Sequence, residues 1–202
     1  MAGRGLFITF EGSEGSGKTT QAELLGEWLE SRDPVVVREP GGTELGEQIR
    51  DVVLYKGLEI DAEAEMYLFM ASRRQLIADV IGPALASGRV VIADRYHDST
   101  LAYQGGGRGV PTTWPSTFPR PDITFLLEGP VEAGLGRHES AGKSKDRMEQ
   151  ESIDFHRKVA EAYGRLAAAE PERFVRLDAT GSRDKIHLEV RDRLEKLLEG
   201  LD

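Results

Sequence analysis

The sequence predicts a doubly wound α/β fold: a five-stranded parallel sheet flanked by helices in three layers. Three observations predict it. Short apolar runs alternate with helical patterns along the whole chain. The runs carry no polar–apolar alternation, as expected of strands covered on both faces. The first run leads into a glycine-rich turn that opens a helix, which is the strand–loop–helix order of a phosphate-binding unit.

The strand-like runs are residues 6–10, 34–38, 89–93, 122–127 and 174–177. Helical patterns fill the gaps near 18–31, 43–54, 61–86, 147–169 and 182–199. Crossover helices between parallel strands place ligands beyond the carboxyl ends of those strands. The turn after the first run is Gly12-Ser13-Glu14-Gly15-Ser16-Gly17-Lys18-Thr19, which fits the pattern G-x-x-x-x-G-K-[ST] in full, with Thr20 next in the helix. Its backbone N–H groups converge on one point, and the helix N-terminus adds partial positive charge. Lys18 reaches the outer phosphates of a nucleoside triphosphate, and the Thr19 hydroxyl suits Mg²⁺. The chain is therefore expected to bind ATP or a similar nucleotide in a phosphate-loop fold.

Composition excludes other classes. Net charge is −9 over 202 residues, which argues against a polynucleotide partner. There is no cysteine, so disulfides and cysteine–metal sites are ruled out. No apolar run approaches the roughly 20 residues needed to span a bilayer. No signal peptide precedes the first strand, and a cytoplasmic location is expected. The chain also lacks Asn, and with scarce Lys this fits a biased genome better than a hot habitat. A single domain over 1–202 is expected. Two loops stand out. Gly105-Gly106-Gly107-Arg108-Gly109-Val110-Pro111 reads as a flexible loop. Residues 138–146 read either as a surface loop or as a mobile lid that carries cations.

Polar residues gather at the strand ends. The first run ends in Glu11, the second runs into Arg38-Glu39-Pro40-Gly41-Gly42-Thr43, and the third ends in Asp94-Arg95-Tyr96. An Asp-Arg pair can be a structural salt bridge. Beside a phosphate loop, Asp94 suits an Mg²⁺-associated carboxylate, and Arg95 can face an anionic ligand. On the helix at 61–86, Phe69 and Arg73 share a face at i, i+4, where a ring can stack on a base and a guanidinium can donate to a carbonyl. Met70 and Arg74 have the same spacing, and periodicity does not choose between the pairs. His97-Asp98-Ser99-Thr100-Leu101-Ala102-Tyr103-Gln104-Gly105 supplies hydroxyls, a ring and an amide. Alone it reads as a polar surface helix.

Taken together, these elements resemble the bacterial thymidylate kinase family nearly end to end. The marks are Phe10-Glu11-Gly12, Arg38 through Thr43, Phe69 with Arg73, and Asp94-Arg95-Tyr96. Ser99-Thr100, Tyr103 through Gly109, Asp146-Arg147-Met148-Glu149 and Leu177-Asp178-Ala179-Thr180 complete the series. The resemblance implies transfer of the ATP γ-phosphoryl group to dTMP, with Mg²⁺ at Thr19 and Asp94. It places Phe69 on thymine and Arg73 on the 4-carbonyl. Arg95, with Arg50, holds the acceptor phosphate, and Glu39 belongs to the same substrate site. Glu14 approaches the 3′-hydroxyl, and Tyr103 lies under the sugar. Ser99, Thr100 and Gln104 complete that site. It also implies a homodimer.

Two departures matter. Gly15 stands where some family members carry an arginine after the acidic residue, and such members' relatives without it draw the cation from the lid. Arg147 fits the lid-end position best, with Arg137, Lys143 and Lys145 behind it, and the lid spans approximately 137–147. Lys18, Arg95 and Arg147 are thus the expected catalytic cations. Leu127-Glu128-Gly129-Pro130 stands where an Asp-containing turn is usual. A nucleoside monophosphate has a second phosphate pKa of about 6, so its attacking oxygen is already ionised and no general base is needed. The alternatives are another nucleoside or nucleotide kinase, or a nucleotide-driven switch. A guanine-reading Asn-Lys-x-Asp motif cannot exist in a chain without Asn.

Overall fold

The computed structural model describes residues 5–140 and 146–198, without the side chains of 137–140 and 196. Five strands form one parallel sheet in the order β2-β3-β1-β4-β5. They are β1 (Phe7–Gly12), β2 (Val35–Arg38), β3 (Val91–Asp94), β4 (Ile123–Glu128) and β5 (Phe174–Asp178). Each expected run holds a strand, shifted by one or two residues. β1 is buried along its whole length and lies between β3 and β4. Its polar members are paired inside: the Thr9 and Thr124 hydroxyls meet at 2.8 Å.

Helices cover both faces. α1 (Lys18–Trp28) and α8 (Arg183–Leu198) bury Ala22, Leu25, Ile186, Val190 and Leu194 against Ile8, Phe10 and Phe125. On the other face, α3 (Ala62–Leu76) runs through a π-helical turn at Ile77–Ile81 into α4 (Gly82–Ala86). This run packs Leu76, Ile77, Ile81 and Leu85 on Phe7, Val91 and Ala93. α2 (Glu44–Leu54) starts where the Thr43 hydroxyl accepts from Gly46 N, a side-chain cap. α7 (Ile153–Ala169) buries Phe155, Val159, Ala162 and Tyr163 against Leu126 and Phe174.

The structure departs from the sequence reading in three places. The helix expected over 147–169 begins at Ile153, because the Ser152 side chain caps it on Phe155 N. The preceding Asp146–Glu149 turn closes on itself through two side-chain-to-backbone bonds of 2.9 Å. A further helix, α6 (Val131–Ser140), occupies a stretch where no helix was expected and takes in the first residues assigned to the lid. The third is the glycine run. α5 (His97–Thr100) continues as a π-helical turn over Leu101–Gly107, so Gly105–Gly107 are helical. A Cβ on Gly106 would sit 2.3 Å from the Ala162 Cβ, and one on Gly107 would sit 2.5 Å from the Phe155 ring. These glycines let the turn lie directly on α7; close approach, not flexibility, selects them.

One buried ion pair joins α5 to the entry of β5. Arg173 donates to both Asp98 oxygens, at 2.6 and 2.9 Å, and to the Thr124 hydroxyl at 2.7 Å. Segment 97–107 is thereby tied to the sheet, and from it the Tyr103 hydroxyl reaches Glu14 of the phosphate loop.

Candidate active site

The loop between β1 and α1 has the geometry its sequence requires. Gly17 has φ of 100° and Gly15 has φ of 66°, both left-handed. A Cβ on Gly15 would lie 2.1 Å from the Gly134 carbonyl oxygen of α6. The place where relatives of the resembled family carry an arginine is thus filled by backbone from another helix. Lys18 donates to Ser13 O at 2.7 Å and Ser16 Oγ at 3.3 Å. Burial, then Arg95, pushes its ammonium down to about 8, against the pull of Glu14 and Asp94. The Thr19 hydroxyl donates to Asp94 Oδ2 at 2.5 Å. The other Asp94 oxygen, Oδ1, is buried without a partner.

Glu11, at the end of β1, is fully buried and gathers the loop after β3. Oε1 accepts from Tyr96 N at 2.8 Å and Ser99 N at 3.3 Å. Oε2 accepts from the Ser99 hydroxyl and the Tyr163 hydroxyl, each at 2.7 Å. Burial, then the nearby Asp98, raises this carboxyl above its ordinary range.

Arg95 sits between the phosphate loop and segment 97–107. It has φ of 70°, a left-handed conformation that costs a non-glycine residue on the order of 1 kcal/mol. Its guanidinium donates to Gly12 O at 3.2 Å and Glu14 Oε1 at 2.7 Å on the loop side. On the other side it donates to Ser99 Oγ at 3.2 Å and Tyr103 Oη at 3.1 Å. The Tyr103 hydroxyl also donates to Glu14 Oε1 at 2.8 Å. Burial alone would raise the Glu14 carboxyl, but Arg95, Lys18 and Tyr103 together hold it at about 2. A carboxylate thus sits on the Arg95 guanidinium.

The far end of the cleft is built on α3. Arg73 is 2% exposed, whereas Arg74 is exposed, so the structure chooses the Phe69–Arg73 face that periodicity left open. Arg73 donates to Glu39 Oε2 at 2.6 Å, the Thr100 hydroxyl at 2.8 Å and Tyr96 O at 3.0 Å. Burial pushes the Glu39 carboxyl up to about 7 against the pull of Arg73. Gln104 donates to Glu65 Oε1 at 2.9 Å. Arg50 donates to Pro40 O at 2.9 Å.

One cavity of about 860 Å³ joins these parts. Its wall takes in Glu14 through Thr20 of the loop and helix, then Glu39, Arg50, Phe69 and Arg73, then Asp94, Arg95, Ser99, Thr100, Tyr103 and Gln104. Gly12 and Ser13 lie beneath it and offer their carbonyls to Arg95 and Lys18. At the other end Ala179, Gly181 and Arg183 continue the wall from the β5–α8 connection.

Arg147 is not brought in with them. Its Nε donates to Val53 O at 2.8 Å and its Nη2 pairs with the fully buried Glu65, which also holds Arg108. Its neighbours Asp146, Met148 and Glu149 line the cavity instead. The side chain of Arg137, and all of Lys143 and Lys145, lie outside the described residues.

The chain matches the family model for thymidylate kinase over residues 10–190. The chain belongs to the thymidylate kinase family. A thymidylate kinase of Chromobacterium violaceum is 44% identical over 97% of this chain and 96% of its own length. One from Halothermothrix orenii is 46% identical over 93% and 95%. The solved thymidylate kinase of Ehrlichia chaffeensis superposes with a TM-score of 0.73 at 32% identity, covering 95% and 99% of the two chains. Thymidylate kinases are phosphotransferases, and this member carries the family's five-stranded parallel sheet.

Three supporting residues of this chain escaped sequence reading. Tyr163 lies on the apolar face of α7 and reads as core. Glu65 could have been found: it shares the helical stripe of Phe69 and Arg73, one and two turns earlier. His97, fully buried, gave no signal beyond its place in a polar segment.

Two outcomes are expected. ATP affinity, measured by titration calorimetry, falls as pH rises through about 8, because Lys18 loses the charge that meets the phosphates. Lys18→Ala binds ATP weakly with no such dependence and loses most activity while its circular dichroism stays unchanged. Arg147→Ala lowers the melting temperature by about 5 °C, because Glu65 loses a partner. Its kcat falls less than roughly tenfold, against the roughly 10³ expected of a cation on the transferred phosphate. Such a result moves that role to Arg137, Lys143 or Lys145.

Proposed function

We propose that this chain transfers the γ-phosphoryl group of ATP to dTMP, giving dTDP. One observation carries the reading: a single cavity joins the phosphate loop, through the Arg95 anion site, to a buried end formed by Phe69 and Arg73. A phosphorylated nucleoside needs all three parts in that order. An unphosphorylated nucleoside would leave Arg95 facing a neutral hydroxyl.

Lys18 and the loop N–H groups bind and orient the donor phosphates. Thr19 and Asp94 would hold Mg²⁺, and the orphaned buried Oδ1 of Asp94 fits a role toward a cation or its water. When bound, that ion neutralises charge on the donor phosphates. Among the described residues no cluster of three or more His, Cys, Asp or Glu side chains could cage a metal alone.

Arg95 exchanges Glu14 for the acceptor phosphate, which it can hold bidentately, with Arg50 alongside. Released from Arg95, Glu14 is free to accept from the sugar 3′-hydroxyl. The Tyr103 ring lies where a 2′-hydroxyl would clash. The acceptor oxygen arrives ionised, so catalysis rests on alignment and charge neutralisation. Phe69 stacks on the base, and Arg73 donates to the 4-carbonyl, with Thr100 and Gln104 beside it and Glu39 behind it.

The exposed apolar residues Leu45, Val52, Tyr55, Leu58 and Tyr67 are contributed by α2, α3 and the stretch between them. This face suits a second copy of the chain, and sedimentation at micromolar concentration is expected to give a dimer mass. Among the described residues no helix is long and apolar enough to cross a membrane.

A panel of acceptors tests the assignment. ADP formation should require dTMP and Mg²⁺. The thymine methyl is worth only about 1–3 kcal/mol in an apolar pocket, so dUMP should react more slowly. A 4-amino group would face the Arg73 donors with another donor, and dCMP should be disfavoured on the order of 10⁴-fold. Equal rates with all pyrimidine monophosphates would sink the dTMP assignment. Hydrolysis independent of any acceptor would favour the switch reading.

A further inference from the structure

The irregular stretch between Gly109 and β4 contributes no residue to the cavity wall, yet it reaches the Arg73 end of the site from behind. Its agent is His97. This ring is fully buried and is boxed edge-to-face by Trp114, with centroids at 4.8 Å, and Phe118, at 5.5 Å. Trp114 is fixed in turn by its Nε1 donating to Phe118 O at 3.1 Å and by the Arg120 guanidinium 4.1 Å over its ring.

The proton position on His97 follows from its partners. Nε2 lies 3.0 Å from Thr113 O, and a carbonyl oxygen only accepts, so Nε2 carries the hydrogen. Nδ1 lies 3.3 Å from Arg73 Nη1, and a guanidinium only donates, so Nδ1 presents its lone pair. The two bonds agree on one neutral tautomer. Burial, then Arg73, pushes the imidazole down to about 3, so the ring stays neutral across the working range.

Arg73 is thereby held by four acceptors. Glu39 takes Nε, Thr100 and His97 take Nη1, and Tyr96 O takes Nη2. Of these bonds the one to His97 is the longest. It is also the one whose acceptor ring is itself hydrogen-bonded to the 113–118 stretch.

We propose that His97 is a positioning residue for base recognition: held by the Thr113 carbonyl between Trp114 and Phe118, it accepts from Arg73 and fixes the plane of that guanidinium in the base pocket. The inference rests on Arg73 reading the base carbonyl. It assigns to this irregular stretch a specificity role without any contact to substrate.

The test compares His97→Phe, which keeps a packed ring but has no acceptor, with His97→Asn, whose Oδ1 can replace Nδ1. With dTMP, His97→Phe should raise KM on the order of tenfold, the worth of one charge-assisted bond, with kcat within about twofold. Its preference for dTMP over dCMP should fall by a similar factor. His97→Asn should recover most of both losses, which a packing defect would not allow. A His97→Phe enzyme with wild-type KM and preference overturns the proposal, as does a His97→Asn enzyme no better than His97→Phe. Arg73→Ala is measured alongside. If it leaves the dTMP preference intact, the base reading itself fails; if it abolishes the preference and His97→Phe does not change it, only the role of His97 fails. Nitrogen-15 spectra of the unaltered chain give an answer that needs no variant to fold. The histidine whose ring contacts Trp114 should show a protonated Nε2 and an unprotonated, hydrogen-bonded Nδ1 at neutral pH. A protonated Nδ1 there would exclude the bond.

Discussion

The site depends first on the carboxylate of Glu11. It ends the central strand, has no exposure to water, and takes four donors: Tyr96 N, Ser99 N, and the hydroxyls of Ser99 and Tyr163. These donors come from the loop after β3, the start of α5 and the middle of α7. A buried carboxylate is costly to leave unsatisfied, so the three elements are constrained to converge on the end of β1. Arg95 lies next to Tyr96 and inherits its position, including its left-handed backbone, from that convergence. The Arg95 side of the cleft is thus placed by a residue outside the cavity wall.

Local electrostatics run against the global charge. The chain carries a net charge of −9, yet the cavity is walled by Lys18, Arg38, Arg50, Arg73, Arg95 and Arg183. Packed together, these cations would repel. The structure answers with carboxylates at chosen points: Glu14 on Arg95, Glu39 on Arg73, and Asp94 near Lys18. Two of these partners differ in kind. Glu14 is held near 2 by Arg95 and Lys18 against its burial, and so stays an anion. Glu39 is pushed to about 7 by burial against the pull of Arg73.

Most of the candidate site was legible because its residues lie at strand ends or in a fixed local motif. The phosphate loop and Asp94-Arg95 needed no long-range information, whereas the 97–104 segment read alone as a polar surface helix and joined the site through the family resemblance. The less legible parts involve partners far away in sequence. Periodicity left Arg73 and Arg74 equivalent, and only the packing of α3 on the sheet buries one of them. Gly105–Gly107 read as a flexible loop because glycine runs usually are. For Gly106 and Gly107 the reason is Ala162 and Phe155 of α7, more than 40 residues away. Arg147 read as a cation for the transferred phosphate because a lid-end position invites one. The buried Glu65, more than 80 residues earlier, takes it instead.

The sequence by itself determined the phosphate loop, the parallel sheet and the order in which polar residues meet its carboxyl edge. Those features are local: backbone conformation, hydrophobic period and strand ends follow from neighbours along the chain. Tertiary structure alone decided which arginine is buried, which carboxylate each cation meets, and how His97 is protonated. Each of those outcomes is a competition between partners distant in sequence. Burial makes the competition decisive, since away from water a charge or a lone pair must be matched by whatever group the fold brings within about 3 Å.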